Sequence, residues 1–222
     1  MQANPSAMRA AAIAKTTFKI FVVGNSGAGK TSFIHHFVNG VKVQANSDHY
    51  TTLGVDFYSK TMNVNGIDVE VQVWDTAGQE RFRSISGSFM ANCDGILSME
   101  SFDPNNNSTQ DLYRLKNVLV DYQSRDICVA YALGKSDLYP NEELKQEKMN
   151  FLRKELGLDD SDVLTPCSAL TGENIDMIMQ DLVRRCLTKK LEKSKDQQEQ
   201  SNFIKLELDN TDKPSTYFCC LM

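Results

Sequence analysis

The sequence has no long hydrophobic run, and this absence limits what the chain can be. A helix needs about 20 consecutive apolar residues to cross a bilayer, and no such stretch occurs, so we expect no membrane-spanning segment. Residues 10–14 form a weakly apolar stretch that is too short for the core of a secretory signal. No glycine follows Met1, so N-myristoylation is not expected.

An excess of positive charge is also missing. The chain has 24 Lys and Arg residues against 29 Asp and Glu residues, which gives a formal net charge of −5. Since a strongly basic balance is what favours nucleic-acid binding, no nucleic-acid partner is expected. The sequence has no internal repeat, and its 222 residues suit one domain of about 170 residues with tails.

The six cysteines lack metal-ligand spacing. Four lie in apolar or helical contexts, so we expect reduced thiols, most of them in the core, and an intracellular compartment. These four are Cys93, Cys128, Cys167 and Cys186. Cys219 and Cys220 differ, because they lie at the C-terminal end of the given chain.

Apolar runs that suit strands alternate with patterns that suit helices. Strands are predicted at 18–23, 55–63, 67–74, 94–100, 127–133 and 163–167. Helices are predicted at 30–39, 107–123, 141–156 and 174–190. Asn65-Gly66 is a strong two-residue hairpin signal, which makes the second and third strands antiparallel. The alternation predicts an α/β fold with an open, mostly parallel sheet, one antiparallel edge pair and helices on both faces.

Residues 24–31, Gly-Asn-Ser-Gly-Ala-Gly-Lys-Thr, are the most informative stretch of the chain. They match G-x-x-x-x-G-K-[ST], the P-loop that wraps a nucleoside triphosphate, and they lie between a predicted strand and a predicted helix. The glycines let the backbone approach phosphate oxygens, and a helix N-terminus favours an anion. Lys30 can reach the β- and γ-phosphates, and the hydroxyl of Thr31 can ligate Mg²⁺.

A second motif begins at the end of the third predicted strand, where Asp75 opens the sequence D-T-A-G-Q-E-R-F. A carboxylate that faces a phosphate loop suits Mg²⁺, because Mg²⁺ keeps several waters and uses few protein carboxylates. Gly78 can offer a backbone N–H to a γ-phosphate, and the amide of Gln79 can orient the attacking water. The second motif disfavours the alternative in which residues 24–31 are a glycine-rich turn that binds no ligand.

Together, residues 24–31, 52–57 and 74–82 resemble the Rab branch of the Ras-like small GTPases, and the resemblance covers about residues 17–190. It implies a six-stranded sheet, five helices and a switch between GDP- and GTP-bound forms with Mg²⁺. Residues 41–57 and 76–91 match the two switch segments that GTP orders.

The same resemblance assigns roles to individual residues. It places Gln79 and Lys30 in catalysis, and it places Thr31, Thr52 and Asp75 at Mg²⁺. The residues assigned to the guanine nucleotide are Ser26, Gly27, Ala28, Gly29, Lys30, Thr31, Ser32, Thr52, Gly78, Lys135, Asp137, Ser168, Ala169 and Leu170. No arginine in the P-loop or the first switch is placed to act in catalysis, so we expect slow hydrolysis without an activating protein.

The base-binding side departs from the family pattern. The family motif N-K-x-D corresponds here to Gly134-Lys135-Ser136-Asp137, and the missing Asn braces the P-loop in the family. Asp137 can still accept from the two N–H groups of guanine, whereas adenine presents an acceptor there. A lost neutral hydrogen bond costs about 0.5–1.5 kcal/mol, or about two- to tenfold in affinity. Replacing Gly134 by Asn is therefore expected to tighten guanine-nucleotide binding.

Two further departures lie near the base. Leu170 stands where the family motif S-A-K has a lysine, although the backbone N–H of Ala169 can still contact the base oxygen. The segment from Phe37 to Thr52 is longer than usual, and no aromatic residue falls clearly where one normally covers guanine. All three departures leave the phosphate motifs intact, so they predict rapid nucleotide exchange with hydrolysis retained.

The last four residues allow two lipid modifications. Cys219 fits a C-a-a-X signal ending in Met, which favours one farnesyl group. The pair Cys219-Cys220 fits the Rab pattern, in which both cysteines are geranylgeranylated after presentation by an escort protein. Residues 191–222 carry four Lys against six Asp and Glu, so no polybasic patch assists a single lipid and two lipids are favoured.

The sequence thus predicts a disordered extension over residues 1–16, a GTPase domain over 17–190 and a flexible tail over 191–222. The predicted function is that of a monomeric, prenylated switch in membrane traffic, bound to the cytosolic face of an internal membrane and cycling with the cytosol. The implied partners are an exchange factor, an activating protein, a GDP-dissociation inhibitor or escort protein, and effectors that bind the switches. The alternative is a Rab-like binding module with weakened guanine binding and little or no hydrolysis. A Rho-like branch is disfavoured, because no insert follows Asp137.

Overall fold

The structure is a computed structural model of the chain. It describes residues 16–40, 55–76, 93–103, 112, 116–117, 119–120, 126–139, 141–160 and 162–211, with the backbone alone at 55, 76 and 197–211. The chain comprises two compact units, Met1–Cys186 and Leu187–Met222.

One sheet organises the first unit. Its strands are β1 (Thr17–Gly24), β2 (Val55–Val64), β3 (Ile67–Thr76), β4 (Gly95–Ser101), β5 (Cys128–Gly134) and β6 (Leu164–Pro166). They lie in the order β2-β3-β1-β4-β5-β6. All neighbouring pairs are parallel except β2 and β3, which are antiparallel. The predicted six-stranded, mostly parallel sheet with one antiparallel edge pair is therefore confirmed.

The hairpin between β2 and β3 forms where the Asn-Gly pair predicts it. Val64 pairs with Ile67, so Asn65 and Gly66 are the two loop residues. Both have positive φ angles, 53° and 81°, as a type I′ turn requires. The side chain of Asn63 accepts a hydrogen bond from the backbone N–H of Gly66 and holds the turn closed.

Three helices have described bounds: α1 (Lys30–Asn39), α2 (Glu142–Leu156) and α3 (Ile175–Thr211). Helical residues also occur at Leu112, Lys116, Asn117, Leu119 and Val120, inside the helix predicted at 107–123. Helix α2 begins at the cap Asn141, whose side chain accepts from the N–H groups of Glu143 and Leu144. Helix α3 runs past the predicted end at residue 190, through a segment rich in Lys, Glu and Gln, which are good helix formers.

Alternate residues of β1 contact helices on opposite faces of the sheet. Phe21 belongs to a buried cluster that includes Leu152 of α2. Ile20 approaches Gly95 from the other face, together with Leu182 of α3. Because successive side chains of a strand point to opposite faces, helices cover both faces of the sheet, as predicted. Within the described ranges, no helix has the length and apolar content needed to cross a membrane.

Candidate functional site

The loop after β1 has a backbone that only glycine adopts easily. Gly24, Gly27 and Gly29 have positive φ angles of 146°, 75° and 95°. A Cβ at Gly24 would lie 1.9 Å from the carbonyl oxygen of Met99 in β4, so the first glycine is also required by packing. The loop therefore turns tightly at the carboxyl end of β1, the edge at which open α/β sheets bind ligands.

Helix α1 begins at Lys30, directly after this loop. Its N-cap is Gly29, which has no side chain that could cap the helix, and the first turn contains no acidic residue. The polarity of a helix N-terminus is therefore not offset by a carboxylate of the same turn. Backbone N–H groups at such a terminus favour an anion such as phosphate.

Lys30 lies back over the loop that precedes it. The side chain is 6% exposed, and its ammonium group donates hydrogen bonds to the carbonyl oxygens of Gly24 and Asn25, each at 2.9 Å. Burial lowers the pKa of Lys30, while the negative charges of Asp75 and Glu100 act in the opposite direction. The ammonium is thus held at the loop by two carbonyl oxygens, which phosphate oxygens could replace.

Thr31 and Asp75 meet beside the same loop. The hydroxyl of Thr31 donates to Oδ2 of Asp75 at 2.6 Å, and Asp75 is fully buried near the end of β3. Burial raises the pKa of Asp75, against the opposing effects of the Thr31 hydrogen bond and the Lys30 charge. Its other oxygen, Oδ1, is buried and has no hydrogen-bond partner among the described residues.

This pair fits Mg²⁺. A hydroxyl and a buried carboxylate with an unsatisfied oxygen are hard oxygen ligands, and Mg²⁺ needs few of them because it retains water. The described residues contain no cluster of three or more His, Cys, Asp or Glu side chains that could hold a metal ion. A cation held by Thr31 and Asp75 would therefore take its remaining ligands from water and substrate phosphates.

The second half of the site lies beyond β5. Asp137 is exposed within a 3₁₀ turn, Ser136–Leu138, and its Oδ1 accepts a hydrogen bond of 2.5 Å from the hydroxyl of Ser168. The hydroxyl of Ser168 in turn accepts from the backbone N–H of Thr171 at 3.2 Å. The loop after β6 therefore orients the carboxylate that sequence analysis assigns to the base.

Two more side-chain contacts fix this region. The hydroxyl of Ser136 donates to Glu173 at 2.6 Å, which ties the β5 loop to the β6 loop. Lys135 lies 3.4 Å from Asp103, in an ion pair that joins the ends of β5 and β4. Ala169 is partly buried, whereas Leu170 is exposed at the surface of the same loop.

Gly134 brings the two halves of the site into contact. A Cβ at this position would lie 2.7 Å from the carbonyl oxygen of Ala28 in the P-loop and 3.4 Å from that of Glu100. The place of a side chain at position 134 is therefore occupied by P-loop backbone. The expectation that Asn at position 134 tightens nucleotide binding does not fit this packing, because the added side chain would have to displace the loop.

The structure brings together many of the residues that sequence analysis assigns to the site. Ser26 to Ser32 follow β1 and open α1, Asp75 lies beside them, and Lys135, Asp137 and Ser168 to Leu170 lie in the loops after β5 and β6. Five assigned residues lie outside the described ranges: Thr52, Gly78, Gln79, Cys219 and Cys220.

Some side chains that contact the site residues were not predicted from the sequence. Asn25, Glu100, Asp103 and Glu173 each contact a P-loop or base-loop residue. One signal was available for Glu100, because it is the only ionisable residue of β4, G-I-L-S-M-E-S. All seven residues of this strand are buried, so a carboxylate there requires compensating contacts.

Comparison with known proteins decides the family. The Ras family model matches residues 19–188. The chain belongs to the Ras family. Among its relatives, Ras-related protein Rab-4A of Rattus norvegicus and of Homo sapiens is 35% identical over 176 residues, covering 78% of this chain and 75% of the relative. Ras-related protein Rab-26 of Mus musculus is 32% identical over 160 residues, covering 72% of this chain and 59% of the relative.

These similarities place the chain in the Rab-like branch of the Ras superfamily. A third relative, Ras-related protein Rab-37 of Homo sapiens, is 31% identical over 162 residues, covering 72% of this chain and 69% of the relative. The predicted family is thus confirmed. Membership of the Ras family indicates a small GTPase and implies binding of GTP or GDP.

Proposed function

We propose that this Rab-like protein binds GTP with Mg²⁺, hydrolyses it slowly and cycles between GTP- and GDP-bound forms. The observation that carries the proposal is the arrangement around the P-loop. Three positive-φ glycines expose backbone, Lys30 lies over the loop, and Thr31 pairs with a buried Asp75 that has one unsatisfied oxygen. Each of these features suits a triphosphate with its cation.

The residues of this site would act by position and charge. Backbone N–H groups of residues 26–32 would bind phosphate oxygens, and Lys30 would exchange its two carbonyl partners for the β- and γ-phosphates. Thr31 and Asp75 would hold Mg²⁺ together with Thr52. When bound, the cation neutralises charge on the β- and γ-phosphate oxygens.

Water attack would depend on the second switch. Gln79 would orient the attacking water through its amide, and Gly78 would donate a backbone N–H to the γ-phosphate. No arginine lies in the P-loop, so hydrolysis by the isolated chain would be slow. An activating protein that supplies an arginine would accelerate it by about 10³–10⁵-fold.

Base selection would rest on Asp137. Its carboxylate is oriented by Ser168 and would accept the two adjacent N–H groups of guanine. Ala169 would contribute its backbone N–H, while Lys135 and Leu170 would border the base. Because Leu170 replaces the lysine of the family motif, this side of the site would hold guanine less firmly than the phosphate side holds phosphate.

We further propose that the protein is a lipid-anchored switch in vesicle traffic. Cys219 and Cys220 would each carry a prenyl group, since two lipids give a stable anchor where one is marginal. The protein would then lie on the cytosolic face of an internal membrane. An exchange factor, an activating protein, an escort protein or GDP-dissociation inhibitor, and effectors of the two switches would be its partners.

One observation favours a second function, that of a binding module with weak guanine affinity and little hydrolysis. P-loop backbone occupies the place of a side chain at Gly134, so the brace that the family places there has no room. A loop without that brace would hold a nucleotide less firmly. A measurement of GTP hydrolysis distinguishes this binding module from the GTPase proposed above.

The experiment combines nucleotide content with hydrolysis. Chromatography of the nucleotide released from the purified chain should show GDP or GTP, and single-turnover hydrolysis should be slower in Gln79→Leu than in the wild type. The matched control is Gln146→Leu, an exposed glutamine on α2 outside the site. Equal rates in wild type and Gln79→Leu would contradict the enzymatic proposal and support the binding module.

A further inference from the structure

A buried carboxylate lies beneath the first turn of the P-loop. Glu100 is 1% exposed and accepts a hydrogen bond of 3.2 Å on Oε2 from the side-chain amide of Asn25, which is 4% exposed. Asn25 is the second residue of the P-loop motif, and its carbonyl oxygen accepts from Lys30. Asn25 therefore links Glu100, through its side chain, to Lys30, through its carbonyl oxygen.

Strand β4 places Glu100 between the two halves of the nucleotide site. Met99 pairs with Gly24 at the start of the P-loop, and Ser101 pairs with Gly134 at the start of the base motif. Glu100 lies between Met99 and Ser101 and shares a face of the strand with Ile96, because side chains alternate along a strand. From this position in the strand, the side chain of Glu100 reaches Asn25 of the P-loop.

The charge of Glu100 has neighbours of opposite sign. The carboxylate interacts electrostatically with Lys30 of the P-loop and with Lys148 of α2. A buried carboxylate is costly unless it is hydrogen-bonded and paired with positive charge. Glu100 has the hydrogen bond to Asn25 and lies in the field of the two lysines, in a strand whose other residues are uncharged.

On another side, the loop lies close to the end of β5. The carbonyl oxygen of Ala28 lies 2.7 Å from where a Cβ at Gly134 would be, so at this position P-loop backbone occupies the place of a side chain. Ala28 itself is tied back by a backbone hydrogen bond of 3.2 Å to Asn25. A constraint on Asn25 therefore also constrains the middle of the loop.

We propose that Glu100 is a positioning residue for the P-loop, and that its hydrogen bond to Asn25 takes the place of a brace from position 134. By holding Asn25, it fixes the carbonyl oxygens that receive Lys30 and the turn that carries Ala28. The inference rests on the proposed function, because it concerns how this loop holds nucleotide phosphates. Glu100 acts through Asn25, its hydrogen-bonded neighbour in the loop.

A reciprocal exchange of the two side chains tests this hydrogen bond. Asn25→Asp places two carboxylates together and should weaken GDP binding by about tenfold, since hydrogen bonds to charged groups are the strong ones. The double variant N25D/E100Q restores one amide and one carboxylate with the donor reversed. It should recover affinity to within about threefold of the wild type. A double variant that binds GDP as weakly as Asn25→Asp, or that fails to fold, would overturn the proposal.

GMP distinguishes loop positioning from a general loss of structure, because it lacks the β-phosphate that the P-loop and Lys30 would hold. In Glu100→Ala the dissociation constant for GDP should rise about tenfold, while that for GMP should change less than about twofold. Ser98→Ala is the matched control: it is buried on the same face of β4, and its hydroxyl has no hydrogen-bond partner among the described residues. It should leave both constants near the wild-type values.

The remaining outcomes are also decisive. Equal weakening of GDP and GMP in Glu100→Ala would assign Glu100 a purely structural role and overturn the proposal. If Glu100→Ala does not fold by circular dichroism, the comparison of Asn25→Asp with N25D/E100Q decides alone. A wild-type chain that binds no guanine nucleotide would contradict the proposed function itself, a result distinct from normal wild-type binding with no effect of the substitutions.

Discussion

Substitution of Gly134 by Asn should weaken nucleotide binding, whereas the family motif leads one to expect tighter binding. A Cβ at position 134 would lie 2.7 Å from the carbonyl oxygen of Ala28, which would have to retreat by about 0.7 Å to reach the 3.4 Å of ordinary contact. The obstacle is backbone and not a flexible side chain, so the P-loop itself must move. Overpacking of this kind costs about 1–3 kcal/mol, so the melting temperature should fall by about 2–12 °C.

The same displacement should weaken nucleotide binding. The P-loop would be held away from the geometry in which its N–H groups meet phosphate oxygens, so the dissociation constant for GDP should rise by about five- to a hundredfold. Gly134→Ala should show most of the loss, because it introduces the same Cβ without an amide. Differential scanning calorimetry and equilibrium titration with GDP measure the two effects.

Gly40→Asn is the matched control for this substitution. Gly40 ends α1 with a φ of 66°, and a Cβ there would meet nothing within 4 Å. Asn tolerates the left-handed conformation at a helix end, so the control should cost less than about 1 kcal/mol. If Gly134→Asn binds GDP more tightly than both the wild type and Gly134→Ala, the packing argument is wrong and the amide braces the loop after all.

Three further predictions address single groups. Asp75→Asn should reduce the Mg²⁺-dependent slowing of GDP dissociation by about tenfold or more, and a variant that responds to Mg²⁺ like the wild type would remove Asp75 from the cation site. Asp137→Ala should weaken GDP binding by about a hundredfold with little change for ADP, and equal losses for both nucleotides would exclude base recognition by this carboxylate. Burial raises the pKa of Cys93 and Cys167 from 9.0 to about 12, so both thiols stay protonated at pH 8. They should therefore react with iodoacetamide about a thousandfold more slowly than an exposed cysteine. Rapid labelling of either cysteine in the native protein, detected by mass spectrometry, would contradict the raised pKa.

Local signals explain why the sheet was predictable from the sequence. The Asn65-Gly66 pair specifies the β2–β3 turn, because both residues tolerate the positive φ angles it needs. The P-loop motif specifies the strand, turn and helix around it for the same reason. The bounds of β6 and α3 differ from the predicted ones: β6 spans only Leu164–Pro166, and α3 continues to Thr211. Strand and helix ends depend on pairing and packing that apolar periodicity does not record.

The supporting contacts of the site were not predictable in the same way. Asn25 and Glu100 are 75 positions apart, and only the parallel pairing of β1 with β4 brings them together. The packing at Gly134 could not be read from the sequence, which shows only that a side chain is missing, whereas the structure shows P-loop backbone in its place. The motifs thus predict which residues bind phosphate and base, whereas the contacts that link these residues to one another become visible only in the folded chain.

Equilibrium titration of the nucleotide-free chain with GDP, ADP and GMP in the presence of Mg²⁺ tests the central proposal most directly. The proposal is that the P-loop and Asp137 form one guanine-nucleotide site, linked by the contact of Ala28 with Gly134. It predicts that GDP binds at least about a hundredfold more tightly than ADP, through Asp137, and more tightly than GMP, through the P-loop. Equal affinities for GDP and ADP, or for GDP and GMP, would contradict it.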